Sequence, residues 1–260
     1  MKSNPSYRLL VLLFTALFIM ACALPGLGAP APDSASPGGD APGSSSELCA
    51  NQYYPVRQGA TWSYKATGGT SGEYAFTDTI SSARANGFTL TTQFTDLTRT
   101  QEWECRDAGL VALQLGGGTA AALNTTGSSL VMETQNAQGV TFPRTINAGD
   151  TWQHTLDFTG TMDIAGEPGT ATGNAQSDFT ALGTESVTVP AGTFNAMKVQ
   201  ANSTININAT FQGVTLPVTF SGTTTLWLVE GVGWVKAVAD GSFGGAPFND
   251  IIELQTYNIP

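Results

Sequence analysis

The stretch Val187-Thr188-Val189-Pro190-Ala191-Gly192-Thr193-Phe194-Asn195-Ala196-Met197-Lys198-Val199-Gln200 decides the fold class. Short apolar and polar alternation flanks Pro190-Ala191-Gly192-Thr193, and in that turn proline presets one angle while glycine accepts a positive one. Two strands therefore fold back on each other. The same alternation recurs in Thr61-Trp62-Ser63-Tyr64-Lys65, Phe88 to Phe94, Trp152 to Phe158 and Ile205-Asn206-Ile207. Clusters of Gly, Pro, Asn and Asp separate these runs, which predicts an antiparallel meander of about ten strands. No window carries a clean helical period with a cap at each end. Ala120 to Leu123 lies between Gly116-Gly117-Gly118 and Gly127 and reads as a loop.

Composition agrees with strands. Among 260 residues there are 36 threonines and 30 glycines. Both are poor choices for a helix interior, and threonine is at home on a pleated strand, so a helical bundle or coiled coil is excluded. Acidic residues outnumber basic ones 20 to 10. The pI is about 4.3, so no nucleic-acid partner is expected.

The amino-terminal segment reads as an export leader. Lys2 and Arg8 precede Leu9 to Ala21, an apolar run interrupted only by Thr15. It is shorter than the roughly 20 apolar residues that cross a bilayer. The run ends Ile19-Met20-Ala21-Cys22, which resembles the lipobox of bacterial lipoproteins. That resemblance implies cleavage after Ala21, a diacylglycerol thioether on Cys22 and acylation of the new amine. Residues 1–21 are then a lipoprotein signal peptide. Buried acyl chains at about 0.8 kcal/mol per methylene make such an anchor durable.

Residues 22–47 follow as a tether, since Pro25, Gly26, Pro30, Pro32, Pro37-Gly38-Gly39, Pro42-Gly43 and Ser44-Ser45-Ser46 cannot bury a core. Loss of the leader removes Lys2 and Arg8 and leaves twelve more acidic than basic side chains. Anionic headgroups repel such a surface, so membrane contact is expected through the anchor alone. With Cys22 acylated, Cys49 and Cys105 remain as an even pair in an oxidising setting. A bridge between them is expected to add roughly 4 kcal/mol by the chain-entropy model.

Residues 48–260 read as an all-β, mainly antiparallel domain: a curved sheet, half-barrel or sandwich built from two pseudo-repeats, about 53–115 and 142–238. Tyr54-Pro55 and Gly59-x-x-Trp62-x-Tyr64 are echoed by Phe142-Pro143 and Gly149-x-x-Trp152-x-His154. Trp103 to Val111 is echoed by Trp227 to Val235.

These motifs, Tyr53 to Tyr64, Val187 to Phe194 and Trp227 to Val235, resemble an uncharacterised family of bacterial lipoproteins and periplasmic proteins. The family implies a curved antiparallel sheet loosely similar to the half-barrels that ferry lipoproteins or bind lipids. It carries no established catalytic residues. His154 stands where the pattern has an aromatic after the second Gly-x-x-Trp.

Motifs of known chemistry are absent: no His-Glu-x-x-His, Cys-x-x-Cys, Gly-x-Ser-x-Gly or phosphate loop occurs. One histidine cannot build a histidine zinc site, and His154 reads as an exposed strand residue. Asp150, Asp157 and Asp163 lack the spacing of a calcium loop. Glu102 and Glu104 share a strand face about 7 Å apart and read as a solvated pair facing Arg99 or Arg106. No metal, cofactor or catalytic residue is expected, and the protein is read as not an enzyme. Trp62, Trp103, Trp152, Trp227 and Trp234 are first core residues. In second place they are the aromatics of a concave face for an apolar ligand.

The expectation is therefore an extracytoplasmic, lipid-anchored module that binds an apolar ligand or envelope protein, or plays a structural part. Carriage of lipid or acyl chains in a half-barrel cavity is the first alternative. A polysaccharide or peptidoglycan hydrolase is the second.

Overall fold

The computed structural model describes residues 47–68, 72–95, 97–115, 128–164, 167–243 and 245–260. The leader, Cys22, the tether to residue 46 and the Ala120 to Leu123 segment lie outside them. The chain divides into two units, Met1–Asp40 and Ala41–Pro260, and every strand belongs to the second. Among the described residues no helix is long and apolar enough to cross a membrane.

Among the described residues a single 3-10 turn at Glu47–Cys49 is followed by thirteen strands. The first five are β1 (Thr61–Thr67), β2 (Tyr74–Arg84), β3 (Gly87–Gln93), β4 (Thr98–Arg106) and β5 (Gly109–Ala112). Next are β6 (Ser128–Gly139), β7 (Phe142–Pro143), β8 (Thr151–Ile164) and β9 (Glu167–Val189). The last four are β10 (Gly192–Phe211), β11 (Val214–Val229), β12 (Gly233–Phe243) and β13 (Ala246–Asn258).

All thirteen form one antiparallel sheet, in the order β6-β8-β9-β10-β11-β12-β13-β1-β2-β3-β4-β5-β7. This is the half-barrel among the expected architectures, and among the described residues no second sheet packs on it to make a sandwich. Thirteen strands replace the expected ten or so. Phe194 to Gln200 and Ile205 to Ile207, expected as separate strands, are one continuous β10 of 20 residues. Between the two runs Asn202 and Thr204 take the outward positions and Ser203 an inward one. Such polar residues, threonine above all, can sit on a pleat, so polarity there did not mean a turn.

Register shifts curve the sheet. They fall between Ser63 and Tyr64, Lys198 and Val199, Trp227 and Leu228, Ile80 and Ser82, and Thr134 and Asn136. Each places an extra residue on one strand and bends it. Glycines on the inner face leave room for rings. Phe158 of β8 pairs with Gly173 of β9, where an added Cβ would stand 2.5 Å from the Phe158 ring. Phe248 and Gly241 repeat the arrangement between β13 and β12.

The two edges of the sheet meet through one segment. Gly139 still pairs with His154 of β8, and two residues on Thr141 N–H donates to the Leu110 carbonyl of β5. Arg106 reinforces the junction by donating to the Ala137 carbonyl at 3.1 Å, and Thr134 Oγ1–H donates to the Leu113 carbonyl. The chain thus crosses the mouth of the trough.

The larger part of the core is built around Tyr54. Its ring lies 5.5 to 5.7 Å from those of Trp62, Phe88, Trp103 and Phe142. Each such pair contributes about 0.5–1.5 kcal/mol beyond the area it buries. Asn51 holds this entry segment in place. Its Oδ1 accepts from the backbone N–H groups of Tyr53 and Tyr54, and its Nδ2 donates to the Phe142 and Pro143 carbonyls. Cys49 and Cys105 form the expected disulfide, which ties the 3-10 turn to β4. A smaller apolar cluster, including Leu156, Phe158, Ile205 and Phe220, fills the trough further along the long strands.

Candidate functional site: a cavity inside the sheet

Where the two halves of the sheet face each other, the packing leaves a cavity of about 220 Å³. Its apolar wall includes Tyr54, Phe76, Trp103, Phe142, Phe179 and Trp234. Its polar lining includes Asp78, Thr92, Gln101, His154, Ser177 and Ser203.

Asp78 arrives there by strand alternation. Phe76, Asp78 and Ile80 of β2 are all buried, and the residues between them are partly exposed. Asp78 is 7% exposed and accepts a hydrogen bond from Thr92 Oγ1–H at 2.5 Å. Burial raises its carboxyl from the ordinary value to about 7, with the Thr92 bond working against the rise. Two phenols feel its charge: burial, and then the charge of Asp78, hold Tyr54 and Tyr64 well above the usual tyrosine range. The Tyr64 hydroxyl donates to the Trp234 carbonyl at 3.0 Å. Arg99 pairs across the sheet with Thr92, one strand further on, and is half-buried. Among the described residues it makes no ion pair.

His154 corrects the sequence reading. It is 8% exposed rather than solvent-facing, because β8 buries His154, Leu156 and Phe158 on one side. A polar residue in a strand pattern gave no sign that the partner strand β9 places Ser177 opposite it on the inner face. Burial lowers its imidazole to about 4, a backbone hydrogen bond with Ala112 opposes this, and the Arg106 charge adds to it. His154 is neutral at neutral pH. Its Nε2 is buried and has no hydrogen-bond partner among the described residues. Ser177 is bonded to Ser203, Oγ to Oγ at 2.8 Å, and not to the imidazole.

The five tryptophans are distributed rather than gathered. Trp103 and Trp234 line the cavity. Trp234 stacks on Tyr64 with ring centroids 3.8 Å apart. Trp62 is buried in the core, its Nε1–H donating to the Val232 carbonyl at 2.6 Å. Trp152 is half-buried, stacked on Phe179 at 5.2 Å, with Nε1–H donating to the Thr141 carbonyl. Trp227 stands apart from that wall. Its Nε1–H donates to Glu185 at 2.7 Å, and Lys198 and Lys236 lie 5.3 and 5.9 Å from its ring.

Glu102 and Glu104 flank the buried Trp103 from the opposite side of β4. Glu102 pairs with Arg84 at 2.5 Å instead of Arg99, and Glu104 pairs with Arg106 at 2.7 Å. Asp150 accepts hydrogen bonds from Asn147, and Asp157 accepts one from Asn136 Nδ2. Asp163 has no described side chain. Among the described residues no cluster of His, Cys, Asp or Glu could hold a metal ion.

Asp78 and Thr92 were missed at the level of sequence. The signal was present: an acid at the centre of Phe76-x-Asp78-x-Ile80, on the side that alternation turns inward.

Residues 119–239 match the model of the DUF3108-like family. Similar solved structures come from Bacteroides fragilis, Parabacteroides distasonis and Escherichia coli. One from Bacteroides fragilis NCTC 9343 is named as an exported protein with a YmcC-like fold. It is 15% identical, the match covers 80% of this chain and 100% of that one, and the TM-score is 0.48. One from Parabacteroides distasonis ATCC 8503, named as a lipoprotein, is 16% identical over 80% of this chain and 99% of that one, with a TM-score of 0.44. The hypothetical lipoprotein YmcC of Escherichia coli (K12) is 11% identical over 76% of this chain and 85% of that one, with a TM-score of 0.33. No curated protein matches the chain.

Proposed function

We propose that this is an extracytoplasmic protein, tethered to a bacterial membrane through lipidated Cys22, whose sheet is a non-catalytic binding module with its ligand site in the interior cavity. The observation that carries the reading is an unpartnered acceptor, His154 Nε2, buried in the wall of a preformed, aromatic-lined space. Native interiors leave few buried polar atoms without a partner. A ligand donor supplies the bond that His154 lacks. The Cys49–Cys105 disulfide supports the compartment, since such bridges persist outside the reducing cytosol.

Volume favours this reading over acyl-chain carriage. About 220 Å³ exceeds the roughly 150 Å³ of an engineered cavity that takes up benzene, and falls below the roughly 300 Å³ at which drug-sized pockets begin. That size suits a compact molecule of one ring or a few carbons better than a long acyl chain. In this reading the protein performs no chemistry. Glu102 and Glu104, each held by its own arginine, do not converge on a cleft.

The test is a pair of chains, wild type and Cys22→Ser. The wild type should fractionate with membranes and take up labelled fatty acid, and Cys22→Ser should be soluble and unlabelled. Native mass spectrometry of full-length Cys22→Ser should then show a small adduct that denaturation releases. A clean apo mass, with no small molecule raising the melting temperature, rejects the binding role. Identical fractionation and labelling of the two chains rejects the anchor.

A further inference from the structure

Resting on the interior-site reading, we propose that the cavity takes a small organic ammonium ion, with Asp78 as its counter-ion and His154 Nε2 as a second acceptor. The argument is one of unmet demand. Asp78 is a buried carboxylate whose described hydrogen bond comes from Thr92, and no lysine or arginine lines the cavity. A carboxylate withdrawn from water without a cation is costly, and a bound cation relieves that cost. Neutral His154 has its Nε2 free to accept. Both groups therefore call for a donor, and neither offers a positive charge. A primary ammonium supplies three N–H donors and the charge together.

The walls fit the same ligand. Phe76, Trp103, Phe142 and Trp234 surround the space, and aromatic faces attract ammonium ions by about 2 kcal/mol or more once water is excluded. The excess of acidic side chains over the folded chain favours the approach of cations.

Other charged and titratable groups facing Asp78 do not satisfy it. From β1 and the entry segment come Tyr64 and Tyr54, whose phenols stay protonated. From β3 comes Thr92. Arg99 of β4 lies two strands away, about 10 Å by strand spacing, and makes no ion pair among the described residues. His154 on the far wall is uncharged at neutral pH.

Benzylammonium, benzyl alcohol and benzoate are matched in shape and differ in charge, and each is small enough for the cavity. They are titrated into full-length Cys22→Ser by calorimetry at pH 8 and pH 6, while the indole N–H NMR signals of Trp103 and Trp234 are followed. Benzylammonium should bind at least tenfold tighter than the alcohol and shift both signals. Its affinity should fall close to tenfold from pH 8 to pH 6, as the free Asp78 takes up a proton. Asp78→Asn, nearly isosteric with the protonated acid, should bring benzylammonium down to the level of the alcohol. If that variant does not fold, the three probes on the parent chain and the pH dependence still decide. Equal or tighter binding of the alcohol or of benzoate overturns the ammonium assignment and leaves the interior site standing. Failure of all three probes to bind or to move either indole signal overturns the interior site as well.

Discussion

Gly59 and Gly149 occupy equivalent turns. Their φ angles are 84° and 91°. Gly59 N–H donates to the Ile80 carbonyl and Gly149 N–H to that of Ala181. In both turns the next residue closes the loop, Ala60 bonding back to Arg57 and Asp150 to Asn147, before Ile80 N–H and Ala181 N–H return to Ala60 and Asp150. The Gly-x-x-Trp recurrence is thus one turn used twice, at the start of β1 and of β8. A Cβ at either glycine would meet nothing within 4 Å, so substitution carries only the backbone cost of a left-handed residue. Gly59→Ala and Gly149→Ala should each lose about 1–2 kcal/mol in urea melts, by similar amounts, and the double variant should lose the sum. A loss at one site more than twice that at the other would break the equivalence.

The second recurrence, Trp103 to Val111 against Trp227 to Val235, behaves differently. In the first hairpin Arg106 pairs with Gly109, and in the second Val229 pairs with Gly233. The second loop is longer by one residue, which inverts the face of the preceding tryptophan. Trp103→Ala should lose about 3–5 kcal/mol as a core truncation. Trp227→Ala gives up a solvent-accessible bond to Glu185 and two cation–π contacts, and should lose no more than about 2 kcal/mol. Parallel urea melts measure both, and comparable losses would contradict the opposed faces.

The Cys49–Cys105 bridge fastens the 3-10 turn at Glu47–Cys49 to β4. Arg144 holds the same turn by donating to the Glu47 and Leu48 carbonyls at 3.0 and 3.1 Å. Replacing both cysteines by alanine should lower stability by about 4 kcal/mol, chiefly by freeing the unfolded chain. Reductant should produce the same loss in the parent chain and none in the double variant.

Sequence pattern carried the strands and the bridge further than it carried the cavity. The Pro190 to Thr193 turn and the Trp62 strand are visible because turn chemistry and alternation are local. Of the 23-residue β9 only the Val187 to Val189 end was visible, because further back its inward positions include Ala171, Gly173, Ala175 and Ser177, too small to announce a buried face. Their smallness has a cause only in three dimensions: Phe158 fills the space above Gly173. His154 failed for the same reason, since it is buried against Ala112 of β5 and Arg106 of β4, both distant in sequence. Asp78 was legible in principle, as a charge in an apolar row, but its meaning depends on Thr92 being opposite.

The two buried titratable groups should make stability respond to pH in opposite senses. The folded Asp78 pKa of about 7 lies above its ordinary value, so the folded state holds a proton that the unfolded chain has released. This contribution is fully present below about 4 and is lost as pH rises through 7, a difference on the order of 4 kcal/mol. The folded His154 pKa of about 4 lies below its ordinary 6.5. Its contribution is present above about 6.5 and is lost as pH falls toward 4, on the order of 3 kcal/mol. Between pH 4 and 6.5 the proton that folded Asp78 holds and the proton that folded His154 lacks offset each other. These two groups should therefore leave stability nearly flat in that window and make it fall above it. Asp78→Asn removes one slope and should expose the other, with stability rising from pH 4 to 6.5. His154→Gln should do the reverse, with stability falling from pH 4 through 7. Urea melts at closely spaced pH values measure all three chains. Identical pH profiles for the two variants would show that neither group is buried in the ionisation state assigned to it.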